Sequence, residues 1–264
     1  MATDKKVAIV TGANSGIGLA VAKKLAEMGM CIVGTGRDVK KLEDTKAAVK
    51  DPDRVITLAA DLTEKDAPKK LVDAALQKWG RIDFLINNAG VGKPRPLLEC
   101  DDDMLDEMLN IMLRAPFRLA REALAHMKPS SGIVNVTSTF AVVGGMRGGA
   151  YSAAKAGLHG LTTHIACHYG RQGIRCNSVA PGVTLTPMVA GRLEDPKFKR
   201  VNVEMTPAPR LSTVEDTSSV IAFLCTPGAE MVNCQHIVVD GGWSYTKYLS
   251  DYAQTSVWTE APQA

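Results

Sequence analysis

Seven short apolar runs, rich in β-branched residues and each trailed by a helix-length amphipathic segment, limit most sharply what this chain can fold into. The runs are KVAIVT, CIVGT, RVITLA, IDFLIN, GIVNVTS, IRCNSVA and HIVVD. Strands separated by helices pair in parallel, and near-continuous apolar character in a strand means that helices cover both sheet faces. The expected fold class is therefore α/β, a doubly wound parallel sheet of about seven strands. A chain of 264 residues, 45% of them hydrophobic, can bury such a core as one domain, and no repeat or linker divides residues 1–264. Ligands of such sheets bind beyond the carboxyl ends of the strands.

Charge and cysteine usage narrow the partners. A net charge of +3 with dispersed basic residues offers no electrostatic case for nucleic acid. Cys31, Cys100, Cys167, Cys176, Cys225 and Cys234 are widely spaced, with no zinc or redox motif, which suits a reducing compartment. The first apolar run is too short for a signal segment and no stretch reaches membrane-spanning length, so a cytoplasmic protein without membrane contact is expected.

The chemistry starts at TGANSGIG, residues 11–18, where the first strand gives way to a helix. Gly12, Gly16 and Gly18 remove the side chains that would keep a pyrophosphate off the backbone, and a helix N-terminus offers free N–H groups. A second signal is NVTSTFAVVGGMRGGAYSAAK, residues 135–155. Ser138 ends an apolar strand, and Tyr151 and Lys155, spaced i, i+4, share one helix face. Singly, each residue has an ordinary explanation as a cap, an interface aromatic or a solvated charge.

Jointly, these motifs resemble the short-chain dehydrogenase/reductase family, in particular its 3-oxoacyl-reductase-like members, over nearly the whole chain. The matching set also includes Asp61, NNAG at 87–90, Asn110, and Pro181 and Gly182 with Thr186 beyond. The resemblance implies a Rossmann-type fold and a ketone–secondary alcohol oxidoreductase with a catalytic tetrad of Asn110, Ser138, Tyr151 and Lys155. In that scheme Tyr151 is the acid/base, its phenolate favoured by the Lys155 ammonium. Ser138 polarises the carbonyl oxygen, Lys155 holds the nicotinamide ribose, and Asn110 opens a helix backbone to a relaying water. For the cofactor the resemblance implies Gly12, Asn14, Ser15, Gly16, Ile17 and Gly18 at the phosphates, and Asp61 and Leu62 at the adenine. Asn87, Asn88, Ala89 and Gly90 would lie beside the ribose, and Pro181, Gly182, Thr184 and Thr186 around the nicotinamide amide. Asp61 also fits a helix cap near Thr63. Two departures from the family pattern are Thr184, in place of Val or Ile, and Cys234, where glycine commonly precedes the last strand.

The end of the second run, CIVGTGRD, bears on the cofactor. NAD enzymes of this architecture place an acid there for the ribose 2′-hydroxyl; here Gly36 leaves uncharged space, and the Arg37 guanidinium can clasp a 2′-phosphate. NADP(H) is the expected cofactor, with NAD(H) as the alternative should Asp38 supply the carboxylate rather than cap the next helix. An aspartate at position 36 would reverse the preference.

The remaining features are less specific. Residues 183–210 take the place of the family's substrate loop, with Met188, Val189, Leu193 and Met205 as candidate apolar walls. Lys93, Arg95 and Arg147 can either recognise an anionic substrate group or be solvated surface. His126, His159, His164, His168 and His236 form no triad or H-E-x-x-H pattern, and no catalytic metal is expected. Met104, Met108 and Met112 recur as a packing stripe. Helices over about 103–126 and 151–170 correspond to the family's paired-helix interface, which implies a homotetramer. The aromatic tail, 243–264, is expected to dock on the fold or a neighbour. The partner is then a small carbonyl or alcohol; a dinucleotide-binding regulatory protein, or a structural subunit with little turnover, is the alternative.

Overall fold

The computed structural model describes residues 5–93, 95–145 and 148–246. Elements follow in the order β1 (Val7–Thr11), α1 (Gly16–Glu27), β2 (Cys31–Gly36), α2 (Val39–Ala47), β3 (Val55–Ala59), α3 (Ala67–Trp79), β4 (Ile82–Asn87) and α4 (Asp102–Leu109). They continue with α5 (Ala115–Leu124), β5 (Met127–Val136), α6 (Gly149–Tyr169), β6 (Ile174–Pro181), α7 (Pro187–Ala190), α8 (Pro196–Lys199), α9 (Val214–Leu224) and β7 (His236–Val239). All seven apolar runs form strands in one parallel sheet of order β3-β2-β1-β4-β5-β6-β7. The chain winds outward twice from β1 and β4, so the crevice between their carboxyl ends is the switch point where such sheets take a ligand.

Alternation along the strands separates two cores. Val7, Ile9, Val33 and Ile133 face Leu71 of α3, Leu119 of α5 and Ile165 of α6. Ala8, Val10, Ile32 and Val134 face Val21 and Leu25 of α1 and Ile221 and Leu224 of α9. Burial on both faces removes the polar alternation of a one-sided sheet and is why the strands read as continuous apolar runs.

Two expectations shift. β5 starts at Met127, five residues before GIVNVTS, through a register irregularity opposite Ile82 and Phe84 and a left-handed Ser130 (φ 66°). The helix expected over 103–126 is broken into α4, a π-helical stretch at Asn110–Arg114, and α5. Pro116 has no N–H to continue the ladder, so the backbone widens just before it. Cys234 adopts the left-handed conformation (φ 62°), which accounts for the glycine usual there.

At the opposite end of the sheet Asp83 ties the starts of β1 and β4 together. Its buried carboxylate accepts from Val7 N at 2.8 Å, Lys6 Nζ at 2.9 Å, and Arg81 Nε and Nη2 at 2.8 and 2.7 Å. Burial alone would push this carboxyl up, but Arg81, the Val7 N–H and Lys6 outweigh it and hold it below the ordinary aspartate range. Because the folded-state value is lowered, the stabilisation is full above the unfolded value near 3.9 and is lost as pH falls below it. Asp83→Ala should lower the unfolding free energy by about 3 kcal/mol in urea titrations at neutral pH, and the gap from wild type should close under acid.

Candidate active site

The turn between β1 and α1 is built by close approach. Gly12 and Gly16 are left-handed (φ 66° and 54°), and a Cβ on Gly18 would run into the Gly12 carbonyl oxygen. Asn88 donates from Nδ2 to Thr11 O at 2.9 Å, while Thr11 Oγ1 accepts from the N–H groups of Asn88 and Ala89, each at 2.9 Å. Ala13 is held by Thr35 O and by the Thr45 hydroxyl. The Asn88 side chain thus supports the turn, a role its place among the expected cofactor residues did not reveal. Ser15 takes the N-cap position of α1 without a side-chain cap bond, and the first turn, which includes Ile17, carries no acid. Free helix N–H groups beside a backbone cleared of side chains suit a pyrophosphate, so these residues fit the dinucleotide the motif implies.

At the end of β2, Gly36 lies under Asn14: a Cβ there would sit 2.6 Å from Asn14 Cγ and Oδ1. Asp38 caps α2, accepting from Lys41 N at 3.1 Å, so its carboxylate is engaged in the helix start. Arg37 is exposed and close enough to Asp61 for its charge to help lower that carboxyl, after the larger effect of the Thr63 hydrogen bonds. Asp61 Oδ1 accepts from Thr63 N at 2.9 Å and Thr63 Oγ1 at 2.8 Å. This closes a local turn, since α3 begins only at Ala67. Leu62 points into the core.

The expected catalytic residues meet beyond β5. Ser138 lies two residues past that strand and caps a short turn, its Oγ accepting from Phe140 N at 3.2 Å. Lys155, buried, donates from Nζ to Val136 O at 2.8 Å, and that Nζ lies 6.0 Å from the centre of the Tyr151 ring. Burial drives both titrations away from charge: the lysine is pulled down to about 8 and the phenol is pushed up. The Ser138 hydrogen bond to Tyr151 opposes the rise of the phenol. Of these two effects on the phenol, desolvation is the larger. Asn110 begins the π-helical stretch, and its Oδ1 accepts from Arg114 Nη1 at 2.6 Å.

The other residues expected at the cofactor make the following contacts within the chain. Gly90 lies beside Lys155, where a Cβ would make ordinary contact with Nζ at 3.6 Å. Asn87 donates to Asn135, and Asn135 to Thr162, linking β4, β5 and α6 beneath the site. Pro181 ends β6, Gly182 packs on Asp240, and Thr184 Oγ1 donates to Gly182 O at 3.1 Å. The Thr184 departure is thus absorbed by a local hydrogen bond. Thr186 approaches Gly16, its methyl 3.3 Å from where a Cβ would stand.

Among the residues expected to form the substrate loop, Met188 reaches over Gly92 and Met205 is exposed. Lys93 and Arg95 line a recess with Cys100, Met104 and residues 148–151, ending at Tyr151; Lys93 also pairs with Glu107 at 2.6 Å. Arg147 lies outside the described residues. Met108 and Met112 are buried beside Ala150 and Ala154 as the stripe implied. His159 stacks on His236 with ring centres 4.1 Å apart, and His236 Nδ1 shares a hydrogen bond with Ser178. Among the described residues no group of three or more His, Cys, Asp or Glu side chains is arranged to hold a metal, and no helix is long and apolar enough to cross a membrane.

Comparison with known proteins identifies the family and the same fold. The family profile described as "Enoyl-(Acyl carrier protein) reductase" matches residues 12–244. The chain is 38% identical to cis-4-hydroxycyclohexanecarboxylate dehydrogenase of Sinomonas cyclohexanicum over 244 residues, covering 91% of this chain and 97% of that one. A short-chain dehydrogenase/reductase (glucose/ribitol dehydrogenase) from Brucella melitensis superposes with a TM-score of 0.85 at 32% identity, covering 95% of this chain and all of the other (100%). A blue fluorescent protein from a metagenomic library, solved in complex with NADPH, superposes with a TM-score of 0.84 at 31% identity over 90% of this chain and 98% of its own. Likeness that runs unbroken from the glycine turn to the last strand places this chain in the short-chain dehydrogenase/reductase family.

Proposed function

We propose that this chain interconverts a ketone and a secondary alcohol with NADP(H), Tyr151 acting as the proton donor and acceptor. The supporting observation is the convergence of Ser138, Tyr151 and Lys155 at the crevice that the glycine turn opens onto. When bound, the dinucleotide supplies or accepts the hydride. The glycine turn and the N-terminus of α1 would hold its pyrophosphate, and Lys155 its nicotinamide ribose. Ser138 donates to the substrate oxygen and fixes it beside the phenol, and Tyr151 delivers its proton to that oxygen. A phenol kept neutral by burial suits the reducing direction, where it must hold a proton to give. Lys155 is buried against Val136 O, so its ammonium has a fixed direction from which to steady the phenolate once the proton has left.

The related dehydrogenase of cis-4-hydroxycyclohexanecarboxylate makes 4-oxocyclohexanecarboxylate a rational first substrate, tested beside a 3-oxoacyl thioester and a small ketone. Tyr151→Phe should abolish reduction while leaving the dissociation constant for NADPH nearly unchanged, whereas Lys155→Met should damage both. Activity retained by Tyr151→Phe would remove the tyrosine from its role.

Preference for NADP(H) is supported by the uncharged Gly36, the exposed Arg37 and the commitment of Asp38 to its cap. One charge-assisted contact is worth roughly 1.5–3 kcal/mol, so NADPH should exceed NADH by about ten- to a hundredfold in kcat/KM. Because Asn14 fills the space over Gly36, Gly36→Asp alone should lose NADPH without a full gain of NADH. Pairing it with Asn14→Gly should complete the switch. Wild-type enzyme that uses NADH as well as NADPH would overturn this preference.

A homotetramer is the assembly we favour. Exposed Ala153, Ala156, Gly160, Thr163 and Cys167 form a small-residue stripe along α6, flanked by exposed Phe117 of α5 and Leu105 of α4. Such a face lets a second helix pair approach closely, and β7 offers its outer edge for a second contact. Light scattering should give four times the chain mass; a monomer would refute this assembly.

A further inference from the structure

Trp243 begins the aromatic tail that the sequence marks as unusual, and it lies against two parts of the site at once. Its indole Nε1 donates to Val201 O at 2.8 Å, in the π-helical stretch Arg200–Glu204 of the substrate loop. Its ring meets Phe140 edge-on, with centres 6.3 Å apart. Phe140 is the residue whose N–H the Ser138 hydroxyl accepts. One side chain therefore bridges the substrate loop and the turn that carries the serine.

The indole is set firmly in place. Asp240, buried at the end of the last strand, accepts from Gly242 N at 2.9 Å and Ser244 N at 2.7 Å. Gly241 and Gly242 are left-handed (φ 68° and 93°), and a Cβ on Gly241 would lie 2.6 Å from Ala208 Cβ. Ala208 N also donates to Gly241 O at 3.1 Å, so this turn presses on the end of the loop. The loop itself folds largely on its own atoms, with Asn202 Nδ2 donating to Phe198 O and Thr206 Oγ1 to Asn202 O. Arg192 stacks on Phe198 at 4.4 Å. A segment folded locally and fastened from outside moves as a unit about its fastening.

We infer that Trp243 is a positioning residue, a latch that fastens the substrate loop to the serine turn. Its hydrogen bond sets how readily the loop stays closed, and its ring supports Phe140 behind Ser138. The effect on turnover rests on the oxidoreductase reading above; the fastening itself does not.

Limited trypsin digestion tests the fastening without any need for activity, because Lys197, Lys199 and Arg200, next to the anchored carbonyl, are exposed. Trp243→Phe keeps a ring and loses the N–H; Trp243→Ala loses both. Both variants should be cut in this segment about three- to tenfold faster than wild type, the scale of one lost hydrogen bond, with unchanged thermal midpoints. For 4-oxocyclohexanecarboxylate or whichever ketone of the panel turns over, Trp243→Phe should raise KM by a similar factor with kcat within about twofold. Trp243→Ala should lower kcat as well. Wild-type cleavage rates in both variants would overturn the latch, and so would a raised KM without faster cleavage. If wild type reduces no carbonyl, the oxidoreductase reading fails and the cleavage rates still decide the latch.

Discussion

The hydrogen bond from Lys155 Nζ to Val136 O fixes the site. It pins α6, one turn beyond Tyr151, to the last residue of the strand that delivers Ser138. A buried ammonium without such a partner would carry a desolvation cost far larger than one carbonyl bond returns. The fold tolerates this lysine because the end of β5 gives it an acceptor. The same burial draws its titration down to about 8, leaving its charge sensitive to what binds nearby. One contact thus ties α6 to the strand that delivers Ser138, so the phenol, serine and lysine are positioned together.

Around that contact the fold supplies direction. Parallel strands bring Thr11, Asn87, Val136 and Pro181 to one rim, and hydrogen bonds between neighbouring strand ends keep them level. The glycine turn lies against Asn88 on one side and Thr186 on the other. The glycine turn therefore adjoins the start of residues 183–210.

Much of this was legible in the sequence because it is local. Strands buried on both faces leave unbroken apolar runs, the glycine turn needs its glycines wherever it occurs, and an i, i+4 pair shares a helix face in any context. Part of what escaped depends on contacts between distant segments. Asn14 filling the space over Gly36 is invisible until β2 lies beside the turn. The indole of Trp243 finds Val201 only after β7 has docked. The π-helical stretch had a readable cue in Pro116, which the helical periodicity of the methionines masked. Asp61 and Thr63 form their own turn, a reminder that a residue at a motif position can also satisfy its nearest neighbours first.

Hydride delivery at the Ser138–Tyr151–Lys155 cluster is tested most directly by label transfer. NADPH carrying deuterium at the reactive nicotinamide carbon would be incubated with wild-type protein and 4-oxocyclohexanecarboxylate, and the alcohol analysed by mass spectrometry. The expected result is one deuterium on the new carbinol carbon with wild type and none above background with Tyr151→Phe. Alcohol formed without the label, or label transferred equally by the Tyr151→Phe protein, would contradict it.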